Sequence, residues 1–439
     1  MKKFLSVALA ISLIAVLAIF TACSSDDDNG GIADVRPAPS ELSGTITIAW
    51  WGDSAYDYAL IDRFMELYEN VTVDVVSIPP TDFDDIINVM VTGGENIDVM
   101  YARNATVFGN LISRNQAENL VPFIQRDNID LTPYGAGVQA FMMDGDGNIF
   151  GLPYRSDLFI LFYNRDLFDA AGVPYPTNDM TWADFRALAY QMTSGTGPDR
   201  IHGALFPPFG FSFEAPGIQE GQGDFGTMEL ENFREGWQTI LDMMFEDHSA
   251  EDWGVLRSIN ATADNFFEGN AAMMICGTWF MYNIIRNVSL EREPLNYGTV
   301  RVPVSSAMQA AGRHGTNASF TPVVMLSRSE NKEAAWALVR FISSEEGGQI
   351  LAQHSLMPGY HSPAVFRYME AVPGFNPSVT QSILASTGFP VVSGMTPGAA
   401  ELFTMLRQHT EMLFTGNATV DETFTNLGRE RAEILARHE

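Results

Sequence analysis

The sequence predicts an α/β protein with more than one core, and three observations carry that reading. Its 439 residues exceed what a single core usually holds, so two domains are expected. Hydrophobic residues make up 46% of the chain and charged residues 18%, the balance of a globular protein. Near the start, short β-rich runs alternate with helical periodicity. That β-α-β-α-β order argues for a parallel sheet with crossover helices.

The elements follow a leader. Lys2 and Lys3 form a charged n-region, Phe4 to Phe20 an apolar run of 17 residues, and Thr21-Ala22 a small-residue exit before Cys23. This is the layout of a cleaved targeting segment, residues 1–22, rather than of a membrane span. Residues 23–42, rich in Asp, Gly, Pro and Ser, read as a flexible tether. Thr45 to Trp51 alternates β-formers and predicts the first strand. Gly52-Asp53-Ser54 turns it into a helix over Tyr56 to Tyr68, with Ala59, Leu60, Phe64 and Leu67 spaced for one buried face. Val71 to Ile78 predicts a second strand, Phe83 to Val91 a second helix, and Ile97 to Tyr101 a third strand. Such sheets bind ligands beyond the carboxyl ends of their strands. Those ends are Trp50-Trp51-Gly52-Asp53 and Tyr101-Ala102-Arg103-Asn104, which carry rings, a carboxylate, a guanidinium and an amide.

Asn148 to Thr193 organises the middle of the chain. After the turn Asp144-Gly145-Asp146-Gly147 it passes Gly151-Leu152-Pro153-Tyr154 and enters an apolar run, Leu158 to Tyr163, that predicts a buried strand. Tyr154, Arg155, Ser156 and Asp157 stand immediately before that strand, which fits a chain leaving a cleft to enter a new core. A short helix over Arg165 to Ala171 stops at Gly172-Val173-Pro174, and Thr181 caps the next, whose buried face begins at Trp182. Gly203 to Gly226 reads as a long loop, the aromatic-proline run Phe206 to Phe211 followed by a Gly-rich stretch, and precedes helices around Phe233 to Phe245. In Phe266 to Trp279, Gly277 lets the backbone pass close to a ligand and Trp279 offers a flat apolar face. Leu295 to Val304 reads as a strand, and Ala364 to Glu439 as helices.

Several of these stretches carry a family resemblance. GLPY…D…L.YN.DLF..AG…P.TW.DF resembles the hinge-crossing segment of the extracellular solute-binding proteins of ABC importers, above all the branch that binds maltodextrins and other oligosaccharides. F..G.AAM...G.W, over Phe266 to Trp279, is similar to the family's short strand followed by a Gly and an aromatic at the cleft. Gly315 to Ser327 resembles the second crossing, and Asn331 to Gln353 the family's helix over the first lobe. The resemblance implies a two-lobed, type II periplasmic-binding-protein-like fold. Its N-terminal lobe would hold residues 43–153 and 319–363, its C-terminal lobe 154–318 and 364–439. It further implies a monomeric binding protein, not an enzyme and without a cofactor. Such a protein closes on a carbohydrate and hands it to the transmembrane subunits of an ABC permease. The implied ligand contacts are Trp51, Asp53, Tyr101, Arg103 and Asn104 from the first lobe, Tyr154, Arg155 and Asp157 from the crossing, and Phe209 and Trp279 from the second. For Asp157, a helix cap or a hinge salt bridge with Arg155 is the alternative. Thr21-Ala22-Cys23 resembles the bacterial lipoprotein signal, with Phe20 where Leu is usual. This implies a lipid on Cys23 that holds the protein at the outer face of the cytoplasmic membrane.

Other chemistries weigh less. The formal net charge of −29 argues against a nucleic-acid partner, because nothing neutralises phosphates. The same fold with a polyamine or peptide ligand stays open, as does a glycan-active enzyme. Yet no stretch pairs two carboxylates at a strand end, and there is no GxSxG, P-loop or HExxH. No metal site is expected from the seven scattered histidines. Asp144 to Asn148 starts like an EF-hand loop, but Ile149 stands where Gly is needed and Arg155 where the bidentate Glu is needed, so it reads as a turn. With Cys23 assigned to lipid, Cys276 has no disulfide partner and reads as a core residue.

Overall fold

The computed structural model describes residues 35–80, 82–207, 213–221, 224–259, 261, 263–289, 294–391 and 396–438. The leader, Cys23, most of the tether and Phe209 lie outside the described residues. The strands are β1 (Gly44–Trp51), β2 (Val71–Ile78), β3 (Val99–Tyr101), β4 (Leu152–Asn164), β5 (His202–Leu205), β6 (Ala271–Gly277), β7 (Tyr297–Val300), β8 (Gly315–Met325) and β9 (Thr387–Pro390). They join in the order β2-β1-β3-β8-β4-β6-β5, with β7 also on β4 and β9 on β8.

The first three strands form the parallel sheet that their alternation with helices predicts. Helix Ala55–Leu67 buries Asp57, Leu60, Ile61 and Phe64. Its buried face therefore runs through Ile61, while Ala59 and Leu67 are only half-buried at its margin. Helix Phe83–Gly93 buries Phe83, Ile87 and Val91 and stops at Gly94, whose φ of 84° suits a residue without a Cβ.

The strand expected over Leu158 to Tyr163 begins earlier, at Leu152, and absorbs Tyr154 to Asp157. Polar residues are tolerated inside it because β8 pairs with them: Arg155 lies opposite Thr321 and Asp157 opposite Ser319. At Phe159 the strand changes partners. Phe159–Tyr163 pair with β6 and Leu161–Asn164 with β7, both antiparallel. Thr316 pins the change-over by donating to the Phe159 carbonyl at 2.8 Å. Beyond this point the side chains alternate between two cores. Ile160 and Phe162 enter the one built around Ile48, Phe64, Val324 and Leu338. Phe159, Leu161 and Tyr163 enter the one built around Trp182, Phe185, Trp237 and Leu406. A strand with both faces buried reads as a continuous apolar run, which is what the sequence shows here.

Four further readings change. Gly203 to Gly226 is not one loop: β5 extends to Leu205 because it pairs with β6, and Ala215–Gly221 is a helix. Asn331 to Gln353 is two helices, Lys332–Ile342 and Glu345–Gln353, because Ser344 caps the second by accepting from the Gly347 amide at 3.2 Å. The strand expected over Leu295 to Val304 covers only Tyr297–Val300. The helical C-terminal region contains β9, which pairs in parallel with Gly315–Ala318 of β8. Thr387 to Pro390 has no periodicity of its own, and only that distant partner makes it a strand. Among the described residues no helix is long and apolar enough to cross a membrane.

Thr181 caps helix Trp182–Met192 as the sequence predicts: its hydroxyl accepts from the Asp184 amide at 3.1 Å and its amide donates to the Asp184 carboxylate at 2.9 Å. Burying Trp182 beneath the cap contributes about 1.5–3 kcal/mol. Thr181→Ala should lower the unfolding free energy by about 1 kcal/mol. In urea this appears as an earlier midpoint at unchanged m-value, and an unmoved midpoint would show the cap to be idle.

Candidate functional site

The candidate site assembles where β1 and β3 end and β4 begins. Trp51 closes β1, half-buried, with its ring edge-on to Phe83 at 5.4 Å and to Tyr101 at 6.1 Å. Gly52 then takes φ 79°, a left-handed turn that sends the chain into helix Ala55–Leu67. Asp53 is exposed on that turn and accepts from the Tyr58 hydroxyl, which raises the Tyr58 pKa.

Tyr101 ends β3 and stacks on Trp50 at 5.9 Å and on Tyr154 at 4.1 Å. Tyr154 stands at a break in the β4–β8 register: Pro153 faces Pro322 and Arg155 faces Thr321, so Tyr154 has no counterpart. A bulge of this kind re-aims a side chain. Here it directs the Tyr154 hydroxyl to Asp57, to which it donates at 2.7 Å. The backbone is held from the other side, where the Gly359 amide donates to the Tyr154 carbonyl at 3.0 Å. Burial pushes the Asp57 carboxyl up to about 7, against the opposing pull of Tyr154, Arg155 and Tyr101. Burial likewise pushes the Tyr101 and Tyr154 hydroxyls well above their ordinary range.

Arg155 and Asp157 form an ion pair at 3.0 Å, both largely buried. The other Asp157 oxygen accepts from the Thr278 hydroxyl at 2.9 Å. Burial pushes the Asp157 carboxyl up while Arg155 and Thr278 pull it down. Both oxygens of Asp157 are thus bonded within the protein, one to Arg155 and one to Thr278. Thr278 leads directly to Trp279, half-buried, whose ring meets Phe159 edge-on at 5.1 Å. Gly277 serves this ring rather than a ligand: a Cβ there would lie 2.0 Å from a Trp279 ring atom.

Arg103 pairs with Asp84 at 2.9 Å, donates to the Pro80 carbonyl at 2.6 Å and lies over the Phe83 ring. Asn104 caps helix Ala105–Ser113 by accepting from the Val107 amide at 2.9 Å, and its amide donates to Asp84 at 3.0 Å. Trp51, Tyr101, Tyr154, Arg155 and Asp157 therefore form one connected cluster. Trp279 joins it through Thr278, Arg103 and Asn104 through Phe83 and Asp84, and Asp53 through Tyr58 and Trp50. Tyr101, Tyr154 and Asp157 are at most 5% exposed, so they form the floor. Trp51, Asp53, Arg103, Asn104 and Trp279 keep accessible surface.

Sequence reasoning missed five members. Asp57 and Tyr58 lie in the first turn of helix Ala55–Leu67, and Tyr56 meets Tyr282 at 6.1 Å and His354 at 6.2 Å. The dense aromatics after β1 were the available signal, but a helical pattern absorbs them. Tyr282 lies more than two hundred residues away in sequence and carried none. A cavity of about 430 Å³ lies elsewhere, lined by Asn110, Asp144, Glu401 and His438 among others, and shares no residue with the cluster. Its lining includes no Phe, Tyr or Trp, so we place the candidate site at the cluster.

Asp57 makes the cluster testable by pH. Its carboxyl holds a proton up to about 7 when folded, against an ordinary value of 3.8. The stabilisation is complete below about pH 4 and is lost as pH rises through 7. Asp57→Asn cannot ionise and still accepts from Tyr154. Relative to the parent it should gain on the order of 1–3 kcal/mol between pH 5 and pH 8 in urea unfolding. Parallel pH profiles for the two proteins would count against a buried, proton-holding Asp57.

Comparison with known proteins agrees with this architecture. Residues 50–349 match the family described as bacterial extracellular solute-binding protein. The maltodextrin-binding protein MdxE of Bacillus subtilis is 27% identical over 170 residues, 36% of this chain and 38% of that protein. A binding protein of Brucella abortus is 25% identical over 217 residues, 46% of this chain and 48% of its own length. The sn-glycerol-3-phosphate-binding periplasmic protein UgpB of Salmonella typhimurium is 20% identical over 328 residues, 71% of this chain and 73% of its own. The chain spans about half the length, or less, of the first two. A sugar transporter of Rhizobium etli, solved in an open conformation, is 28% identical with a TM-score of 0.79, covering 89% of this chain and 100% of that one. An ABC substrate-binding protein of Listeria monocytogenes in complex with cycloalternan has a TM-score of 0.74 at 19% identity, covering 90% and 99%, and speaks to fold alone. The α/β fold is two-lobed and periplasmic-binding-protein-like, and with most of its length matched the chain belongs to the bacterial extracellular solute-binding proteins.

Proposed function

We propose that this protein captures a carbohydrate between its lobes as a monomer and delivers it to the transmembrane subunits of an ABC permease. The observation that carries the reading is the pair of half-buried indoles, Trp51 and Trp279, beside exposed or half-buried hydroxyl-binding groups. Sugar rings present C–H faces to aromatic plates and hydroxyls to carboxylate, guanidinium and amide groups. Asp53, Arg103 and Asn104 supply the second kind, and Tyr101, Tyr154 and Asp157 hold the rings in place from below. The lobes, residues 43–153 with 319–363 and 154–318 with 364–439, close about the crossings near Pro153–Asp157 and Gly315–Ser319. Closure on ligand requires no cofactor and no chemistry. The names of relatives supply two solutes, maltodextrin and sn-glycerol 3-phosphate. The carbohydrate is the better match to paired indoles.

A thermal-shift screen of maltooligosaccharides tests the reading. Ligand at a hundred times its dissociation constant stabilises by about 2.7 kcal/mol. The sugar should be recovered unchanged; its consumption would mean an enzyme. Trp51→Ala and Trp279→Ala should each weaken binding by about 2–4 kcal/mol in calorimetry. Because Trp279 also packs on Phe159, apo melting curves accompany the titrations. A large apo destabilisation at unchanged affinity would remove Trp279 from the site.

The second part of the reading is a lipid on Cys23 that anchors the protein to the outer face of the membrane. Cys23→Ser should release it while leaving the ligand affinity intact, since stable attachment needs acyl chains. Membrane association that survives a salt wash of this variant would end the lipoprotein reading.

A further inference from the structure

The charges gathered at the candidate site do not balance. Its two guanidiniums are already neutralised: Arg103 by Asp84 at 2.9 Å and Arg155 by Asp157 at 3.0 Å. His354, which faces Tyr56, has its pKa lowered by burial and is uncharged near neutrality. One uncompensated carboxylate remains at the surface of the cluster, the exposed Asp53; beneath it Asp57 keeps a tyrosine hydroxyl as its partner and its own proton up to about 7. Among the described residues neither has a cation within ion-pairing distance.

We infer that the cleft selects an uncharged, polyhydroxy ligand and turns away phosphorylated ones. This rests on the carbohydrate reading and narrows it. A phosphate group needs an uncommitted cation, and taking Arg103 or Arg155 would strand Asp84 or Asp157 without a partner. A neutral ligand leaves both ion pairs intact and adds no negative charge beside Asp53. Burial raises the proton affinity of Asp57, against the pull of Tyr154, Arg155 and Tyr101. The groups facing Asp57 are Tyr154 and Arg155 from β4, Tyr101 from β3 and Tyr56 from its own helix.

The tryptophans give a direct readout. Of the seven, Trp50, Trp182, Trp237, Trp253 and Trp336 are buried, which leaves Trp51 and Trp279 open to collisional quenchers. Iodide, caesium and acrylamide quenching is measured at about 0.15 M ionic strength, where the screening length of about 8 Å removes most of the distant surface charge. Relative to a free tryptophan amide, caesium should quench several-fold better than iodide. Asp53→Asn should narrow that ratio. Asp74→Asn should leave it, because Asp74 is exposed on β2, four residues before the Ile78 that pairs with Trp51. Calorimetry with maltose against maltose 1-phosphate, and glycerol against sn-glycerol 3-phosphate, supplies the ligand arm. Any phosphorylated member should bind at least tenfold more weakly than its neutral parent or a neutral maltooligosaccharide. Iodide quenching equal to that of caesium, or tighter binding of a phosphorylated member, overturns the inference. A caesium preference with no response to any neutral sugar would instead overturn the carbohydrate reading and leave the exclusion of anions standing.

Discussion

The side chains of β4 alternate between two hydrophobic cores, and the strand exchanges its partners midway, from β8 to β6 and β7. A slip of one residue would turn Phe159 and Leu161 out of their core and Ile160 and Phe162 out of theirs. The register is therefore fixed from both sides at once, and the bulge at Tyr154 takes up the mismatch. That bulge is why a tyrosine of a crossing strand reaches the first turn of a helix in the first sheet. The aromatic stack on Tyr101, and through it Trp51, follows from this one placement.

The crossing also carries ionised groups that a stability argument would not choose. Arg155 and Asp157 are desolvated together, and a buried pair of this kind gains little over an apolar substitute. Its value is geometric. Asp157 ties β4 to Thr278, and Thr278 leads into Trp279, so one carboxylate links β4 to that ring. On the other side, Met357 and Gly359 bond to the backbone of Ser156 and Tyr154. A strand held by sheet, loop and ion pair makes a firm floor beneath half-buried rings. Solute capture asks for that combination, since rings fixed before binding lose little entropy when a ligand arrives.

The acidity of the chain acquires a local meaning in this arrangement. A formal net charge of −29 says only that the surface is acidic. The ion pairs match each arginine of the candidate site with a carboxylate, so these charges cancel and the exposed Asp53 sets the local sign.

Local signals announced much of this. The alternation of Thr45 to Trp51, the Thr181 cap and the unbroken apolar run after Leu158 each report on neighbours a few residues away. The structure keeps all three. The family resemblance reached further, to the two-lobed fold and to most of the cluster. Other features depend on groups far apart in sequence, and no local pattern encodes those. Thr387 to Pro390 is a strand because β8 is there, and Gly277 lacks a side chain because Trp279 fills the space. Asp57 looks like any acidic residue in a first helical turn, yet Tyr154, 97 residues on, makes it part of the site. The sequence by itself determined which residues carry rings and charges and which segments form strands and helices, because propensity and periodicity are local. Which carboxylate meets which arginine, which rings stay open to solvent and where the sheet changes partners were decided by tertiary structure alone, because burial and pairing exist only once distant segments meet.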